Sequence, residues 1–218
     1  MLIADFHIHT KYSGDCKSEP KEILERARKL NFDVLGIVDH NTTKGAIETK
    51  KLATDILILV GQEIKTEQGE IIIFGTNDKI TGSLWEIIDK AIGQGYLIVL
   101  PHPFDKFRCS VGRYLSKEEL KELSRKIHAI EIFNSGCFLN KFNREAQKFS
   151  ELNKVVGIAG SDAHLVKEIG NVRNFLNCEK NEEEIYKAIK LGKITWNAKK
   201  TKIINFFRKI LILKNNYE

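Results

Sequence analysis

Seven short apolar runs punctuate the chain: 2–6 (LIADF), 33–38 (DVLGIV), 56–60 (ILILV), 70–75 (EIIIFG), 96–100 (YLIVL), 128–133 (HAIEIF) and 155–159 (VVGIA). Several are unbroken Ile/Val/Leu segments, the pattern of strands buried on both faces. Amphipathic stretches of helical period lie between them. Ser18 precedes Glu19-Pro20, which places a proline in the first turn of EPKEILERARKL. Ser116 and Glu119 form a capping box before KEELKELSRK. Asn181 opens EEEIYKAIKL, and Gly192 stands where a C-terminal cap belongs. One connection differs, because Gln68-Gly69 joins two strand-like runs directly and predicts a hairpin. Alternation of this kind predicts an α/β fold, either a barrel or an open sheet.

Composition narrows the class. At 218 residues, 42% of them hydrophobic, the chain suits one core better than two. No run approaches the ~18 apolar residues of a membrane helix, and no signal peptide is expected, so the expected location is the cytoplasm. Cys16, Cys109, Cys137 and Cys178 lie far apart with no C-x-x-C pair, which predicts reduced thiols. The net charge of +6 and a pI near 9.0 favour acidic partners such as phosphates or nucleotides. No aromatic-interleaved basic stripe marks an RNA-binding module.

The chemistry sits where the apolar runs end. In ADFHIHTKYSGD, Asp5, His7 and His9 are two apart, a spacing that directs all three to one face of a strand. Asp15 follows in the next loop, and the later runs lead into Asp39-His40, Glu63, His102, Glu131 with Asn134, and Asp162-Ala163-His164. Strand C-terminal ends converge on one face of an α/β barrel, where active sites form. Five of the six histidines are thus aimed at one mouth, while His128 begins its run and reads as structural. Imidazole plus carboxylate without thiolate suits Zn, Mn or Fe. Nine candidate ligands among these side chains exceed what one ion uses, so two or three ions are expected.

DFHIHTKYSGD, GIVDHN, GQEI, LPHPF, IEIFN and GSDAH together resemble, in order, the PHP superfamily, named for polymerase and histidinol phosphatase. The resemblance covers residues 3 to about 197 and is closer to the small stand-alone members than to polymerase-attached domains. It implies a distorted (β/α)7 TIM-like barrel, a trinuclear metal site and phosphoester hydrolysis. The first ion would be held by His7, His9, Glu63 and Asp162. The second would share Glu63 and add His102 and Glu131. The third would take Asp15, His40 and His164. Ser13-Gly14-Asp15 departs by one residue from the family's usual Ser-Asp-Gly. Asp5 and Asp39 would orient ligating imidazoles by accepting their second ring N–H, although Asp39 equally suits a loop cap.

Two ions ~3.5–4 Å apart can activate water, giving hydroxide at neutral pH, and His164 or His40 could serve as ligand or as proton donor to the leaving oxygen. Arg108 and Lys106, in the loop after His102, are candidate substrate contacts with Asn134; Arg113 and Arg144 are further basic candidates. No Walker loop or dinucleotide fingerprint is present, so a bound nucleotide would be substrate. The leading expectation is a metal-dependent phosphoesterase acting on a nucleotide or other small phosphate ester. A 5′-to-3′ exonuclease on short RNA or DNA could use the same site. A non-enzymatic RNA-binding subunit is disfavoured by the complete ligand set. Residues 1–198 are expected to form the phosphoesterase domain, and the basic, apolar segment 199–218 to dock as a helix on the barrel or on a second subunit.

Overall fold

The computed structural model describes residues 1–201. The expected C-terminal helix at 199–218 lies outside the described residues from position 202 onward. Strands and helices follow as β1 (Leu2–Ile8), α1 (Pro20–Lys29), β2 (Val34–Ile37), α2 (Lys44–Leu52), β3 (Leu57–Thr66), β4 (Gly69–Phe74), α3 (Leu84–Gly93), β5 (Leu97–Leu100), α4 (Lys117–Lys126), β6 (Ala129–Asn134), α5 (Asn140–Asn153), β7 (Val156–Gly160), β8 (Val172–Leu176), α6 (Glu182–Lys190) and β9 (Ile194–Ala198). The strands form one sheet in the order β7-β6-β5-β4-β3-β2-β1-β8-β9. β1, β2 and β3 are parallel, as are β5, β6 and β7. The predicted hairpin is present, so β4 runs antiparallel between β3 and β5.

The sheet curls until its two halves meet again. Ile8 and Ala163 form a parallel bridge; Ala163 N–H donates to His7 O (3.2 Å) and His9 N–H to Ala163 O (3.0 Å). Further down the seam the Asn174 side chain substitutes for a peptide group. Its Oδ1 accepts from Ala159 N–H (3.0 Å), and its Nδ2 donates to Ala159 O (2.8 Å) and Ala4 O (3.3 Å). A buried backbone edge must find such partners. The result is a nearly closed, distorted TIM-like barrel.

Strand parity sorts the core. Ile71 and Ile73 of β4 face outward onto a layer that includes Leu84, Ile87 and Ile88 of α3. Ile72 and Phe74 face inward with Phe6, Val34, Leu97 and Val99. Ile23, Leu24 and Ala27 of α1 cover Leu35, Ile37 and Ile58 on the other side. Each fully buried side chain of this size contributes roughly 1.5–3 kcal/mol. Gly36 and Gly61 make room for the Phe74 ring, which an added Cβ would approach to 2.9 and 2.6 Å.

Two local expectations are corrected. The seven apolar runs omit β8 and β9, which pair antiparallel with β1 and with each other; VRNFL and ITWNA interleave polar residues and lack a continuous apolar signal. The N-cap of α1 is Glu19, in a capping box with Glu22, while Ser18 Oγ donates to His164 O (3.2 Å). The caps at Ser116 and Asn181 are as expected.

Candidate metal centre

The parallel strands deliver their side chains to one mouth. Register shifts interrupt β1 between Asp5 and Ile8, and β6 between Glu131 and Phe133, and bulges of this kind re-aim side chains. His102 and Asp162 have positive φ, 26° and 53°, a conformation that costs free energy and gathers at functional sites.

His7 Nε2 lies 3.1 Å from His9 Nε2. Glu63 Oε2 is 3.4 Å from both nitrogens, and Asp162 Oδ1 is 3.8 and 3.6 Å from them. Next to this group, Glu63 Oε1 is 2.9 Å from His102 Nε2, which is 3.8 Å from Glu70 Oε2. On the other side, Asp15 Oδ2 is 3.3 Å from His40 Nε2 and 3.1 Å from His164 Nε2, and His40 Nδ1 is 3.2 Å from Glu63 Oε2. Three groups thus share Glu63 and His9 at their borders, and the shifted Ser-Gly-Asp still delivers Asp15.

The partners of the imidazoles assign their tautomers. His7 Nδ1 donates to Glu131 Oε1 (2.7 Å). Ser110 Oγ donates its proton to His102 O (2.6 Å), so it accepts from His102 Nδ1–H (3.2 Å). Ser13 hydrogen-bonds Asp39 through its hydroxyl, and its oxygen faces His9 Nδ1 (2.8 Å) and His40 N–H (3.0 Å). In their neutral forms His7, His9 and His102 would then present Nε2 lone pairs inward, toward Glu63 and Asp162. Converging acceptors repel one another unless a cation lies among them. Tetrahedral ligands at ~2.0–2.2 Å from an ion stand roughly 3.3–3.6 Å apart, a range that the 3.1–3.8 Å separations of the first group bracket. The donor set fits divalent ions of the Zn, Mn or Fe kind.

Electrostatics agree with that fit. Burial opposes the charged forms of Glu63 and Asp162, yet both stay well below the usual carboxylate range: His7 and His40 act on Glu63, Arg108 and His7 on Asp162. Burial likewise opposes His7, but Glu131 and Glu63 hold it well above an ordinary imidazole. Burial, then His164 and His40, push His9 well below it. Within one pocket, then, carboxylates raise His7, whereas burial and cationic imidazoles depress His9.

Other expected residues take different places. Glu131 is spent on anchoring: Oε1 accepts from His7, and Oε2 accepts from His102 N–H (2.9 Å) and Asn134 Nδ2 (2.8 Å). It orients His7 where it was expected beside the His102 ring, and Glu70 faces that ring instead. Asp5 touches no imidazole side chain. It accepts from the backbone N–H groups of His7 (3.3 Å) and Ser161 (3.2 Å), and burial raises it to about 7. Asp39 acts on His9 only through Ser13, and it clamps Thr10 through N–H (2.6 Å) and Oγ1 (2.7 Å).

Asn134 is fully buried, and its Nδ2 donates to Glu131 Oε2 (2.8 Å) and Asp162 Oδ2 (3.1 Å), so it braces the two carboxylates. Arg108 does reach the centre, donating to Asp162 Oδ2, whereas Lys106 is exposed on the same loop. His128 stands apart and accepts Ile98 N–H (3.0 Å). Ser13, Ser110 and Glu70 were missed by the sequence reading.

A family model described as PHP-associated matches residues 140–194. Two uncharacterized proteins of Methanocaldococcus jannaschii are similar to the chain. MJ1587 is 37% identical over 146 residues, covering 61% of this chain and 81% of that protein. MJ0417 is 34% identical over 185 residues, covering 82% and 73%. The solved structure of a two-domain protein from Bacteroides vulgatus, containing a predicted PHP-like metal-dependent phosphoesterase, superposes with a TM-score of 0.75 at 16% identity, over 96% of this chain and 69% of that one. At 37% and 34% identity the chain belongs to one family with MJ1587 and MJ0417; its residues 140–194 match the PHP-associated model, and its barrel is the fold of the PHP-like structure.

Proposed function

We propose that the protein is a metal-dependent phosphoesterase that hydrolyses a phosphate ester of a nucleotide or another small molecule. The observation that carries this reading is the inward convergence of the His7, His9, Glu63 and Asp162 acceptor atoms, 3.1–3.8 Å apart in the measured pairs. His7, His9, Glu63 and Asp162 hold one divalent ion; Glu63, His102 and Glu70 hold a second; Asp15, His40 and His164 hold a third. Bound ions of this kind supply Lewis acidity and bring the pKa of water from 15.7 to about 7.

The chain's own residues do the rest. Glu131, Ser110 and Ser13 fix the imidazole tautomers. Arg108, whose burial is offset by Asp162 and Asp105, keeps its charge and lies where a phosphoryl group entering the mouth would meet it, as a planar guanidinium suits.

The test has two parts. Elemental analysis of protein purified without chelators is expected to show two to three transition-metal ions per chain. A screen with Mn²⁺ over small phosphate esters and short 5′-phosphorylated oligonucleotides is expected to show hydrolysis of the small esters. A chain that stays metal-free after Mn²⁺ or Zn²⁺ incubation refutes the reading. Cleavage confined to oligonucleotides makes the protein a 5′-to-3′ exonuclease using the same residues.

A further inference from the structure

The mouth carries an aromatic lip that the ligand set does not explain. Phe107, on the loop after β5, is 66% exposed, and Phe138, on the loop after β6, is 44% exposed. Their rings meet edge to face, with centroids 6.1 Å apart at 90°. Phe107 also abuts Phe142 of α5 at 5.9 Å and 74°, and buried Phe142 anchors the arrangement from below. Phenylalanine is ordinarily an interior residue. Two exposed rings on adjoining βα loops form the kind of patch that marks a binding surface.

Chain connectivity joins this lip to the proposed phosphate end. Phe107 directly precedes Arg108, so their Cα atoms are ~3.8 Å apart, and Arg108 donates to Asp162. Phe138 lies two residues beyond Gly136, where an added Cβ would come within 3.1 Å of Asn134 Oδ1 and 3.3 Å of Asp162 Oδ2. Two residues of chain span at most ~7 Å. Lys200 Nζ ties the second loop in place by donating to Phe138 O (2.6 Å). The lip thus sits on the same two loops as Arg108 and Gly136, within two residues of each.

We propose that Phe107 and Phe138 seat the flat heterocycle of the substrate, which makes that substrate a nucleotide. This inference rests on the phosphoesterase reading and names its substrate class. A nucleobase offers π faces to aromatic side chains whatever its identity, and its phosphate falls on the Arg108 side. A sugar or glycerol phosphate would leave the rings without a flat partner and bring hydroxyl groups against apolar carbon.

The test compares the full-length parent with Phe107→Ala, Phe138→Ala and the double variant. KM and kcat are measured with Mn²⁺ for adenosine 5′-monophosphate and for glycerol 3-phosphate. The expected result for the double variant is a KM for the nucleotide raised roughly tenfold or more, with kcat and the glycerol phosphate constants within about twofold. Saturation-transfer NMR with adenosine, which has no phosphate, is expected to show binding to the parent and loss in the double variant. That readout stands even where no ester is hydrolysed, so failure of the phosphoesterase reading and failure of the lip are distinguishable. Equal changes for both esters, or undiminished adenosine binding in the double variant, overturn the proposal. A parent that sediments as a dimer and a double variant that sediments as a monomer also overturn it, making the lip an interface between copies.

Discussion

Gly160 sits at the end of β7 directly against the anchor of the proposed centre. An added Cβ would collide with Glu131 Oε1, lie 2.6 Å from Glu131 Cδ and 3.0 Å from His7 Cβ. The Gly160→Ala variant must therefore push the Glu131 carboxyl oxygen back by roughly 1.5 Å to reach ordinary contact. That displacement stretches hydrogen bonds now 2.7 Å to His7, 2.9 Å to His102 N–H and 2.8 Å to Asn134 beyond useful range. Bonds to a buried charge contribute about 1.5–3 kcal/mol each. With partial relaxation, the variant is expected to lose about 3–5 kcal/mol of stability. For a chain of this length that lowers the melting temperature by roughly 10 °C.

The same change unseats His7, so Mn²⁺ affinity is expected to fall about 10–100-fold. Circular-dichroism melts and calorimetric Mn²⁺ titration measure the two effects. Gly93→Ala is the control: Gly93 is exposed near the end of α3, and its added Cβ meets nothing within 4 Å, so the variant is expected to be neutral or slightly stabilised. A Gly160→Ala protein melting within about 2 °C of the parent, with an unchanged Mn²⁺ isotherm, would refute the role given to Glu131.

Three further outcomes follow from named groups. His102→Ala is expected to remove one Mn²⁺ from the titration and abolish hydrolysis, while His128→Ala keeps both; similar isotherms for the two variants would contradict the assignment. Glu70→Gln is expected to weaken the ion shared with His102 by about 10–100-fold, and an unaltered isotherm would return that position to Glu131. Burial, then Lys190, depress His128 from 6.5 to about 4, so between those values the unfolded chain binds more protons and stability falls with acidification. Urea unfolding is expected to show the parent losing about 1–2 kcal/mol more than His128→Gln from pH 6.5 to 4, after discounting for solvent around the half-buried ring; parallel pH curves would rule this out.

Much of the architecture was legible because parallel strands obey one rule. Each leaves a continuous apolar run, and its functional residue follows the run, as His40 follows β2 and His102 follows β5. Asp162 and His164 follow β7 in the same way. β8 and β9 escaped because polar residues interrupt both, as VRNFL and ITWNA show, and Asn174, a polar residue in a strand interior, works as a stitch across the barrel seam. Ser13 and Ser110 escaped because a lone serine carries no spacing signal. Their roles emerge only when His9 and His102 are brought beside them.

Glu70 shows why the rule fails where it does. β4 runs opposite to β3 and β5, so its N-terminal end points at the mouth and its functional residue precedes the apolar run. Read along the sequence, Glu70 looks like the ragged start of EIIIFG. Read across the hairpin, it stands opposite Lys65, two residues beyond the Glu63–Ile72 pair, and shares the inward face of Ile72 and Phe74. Strand parity alone carries its carboxylate into the layer above Glu63, on the His102 side. Burial, then the negative charge of Glu63, raise its pKa, which is the response of a buried carboxylate placed beside another. The hairpin was already visible in Gln68-Gly69. Combining that turn with the two-residue period of a strand puts Glu70 on the face of Ile72 and Phe74, at the end of β4 that reaches the mouth.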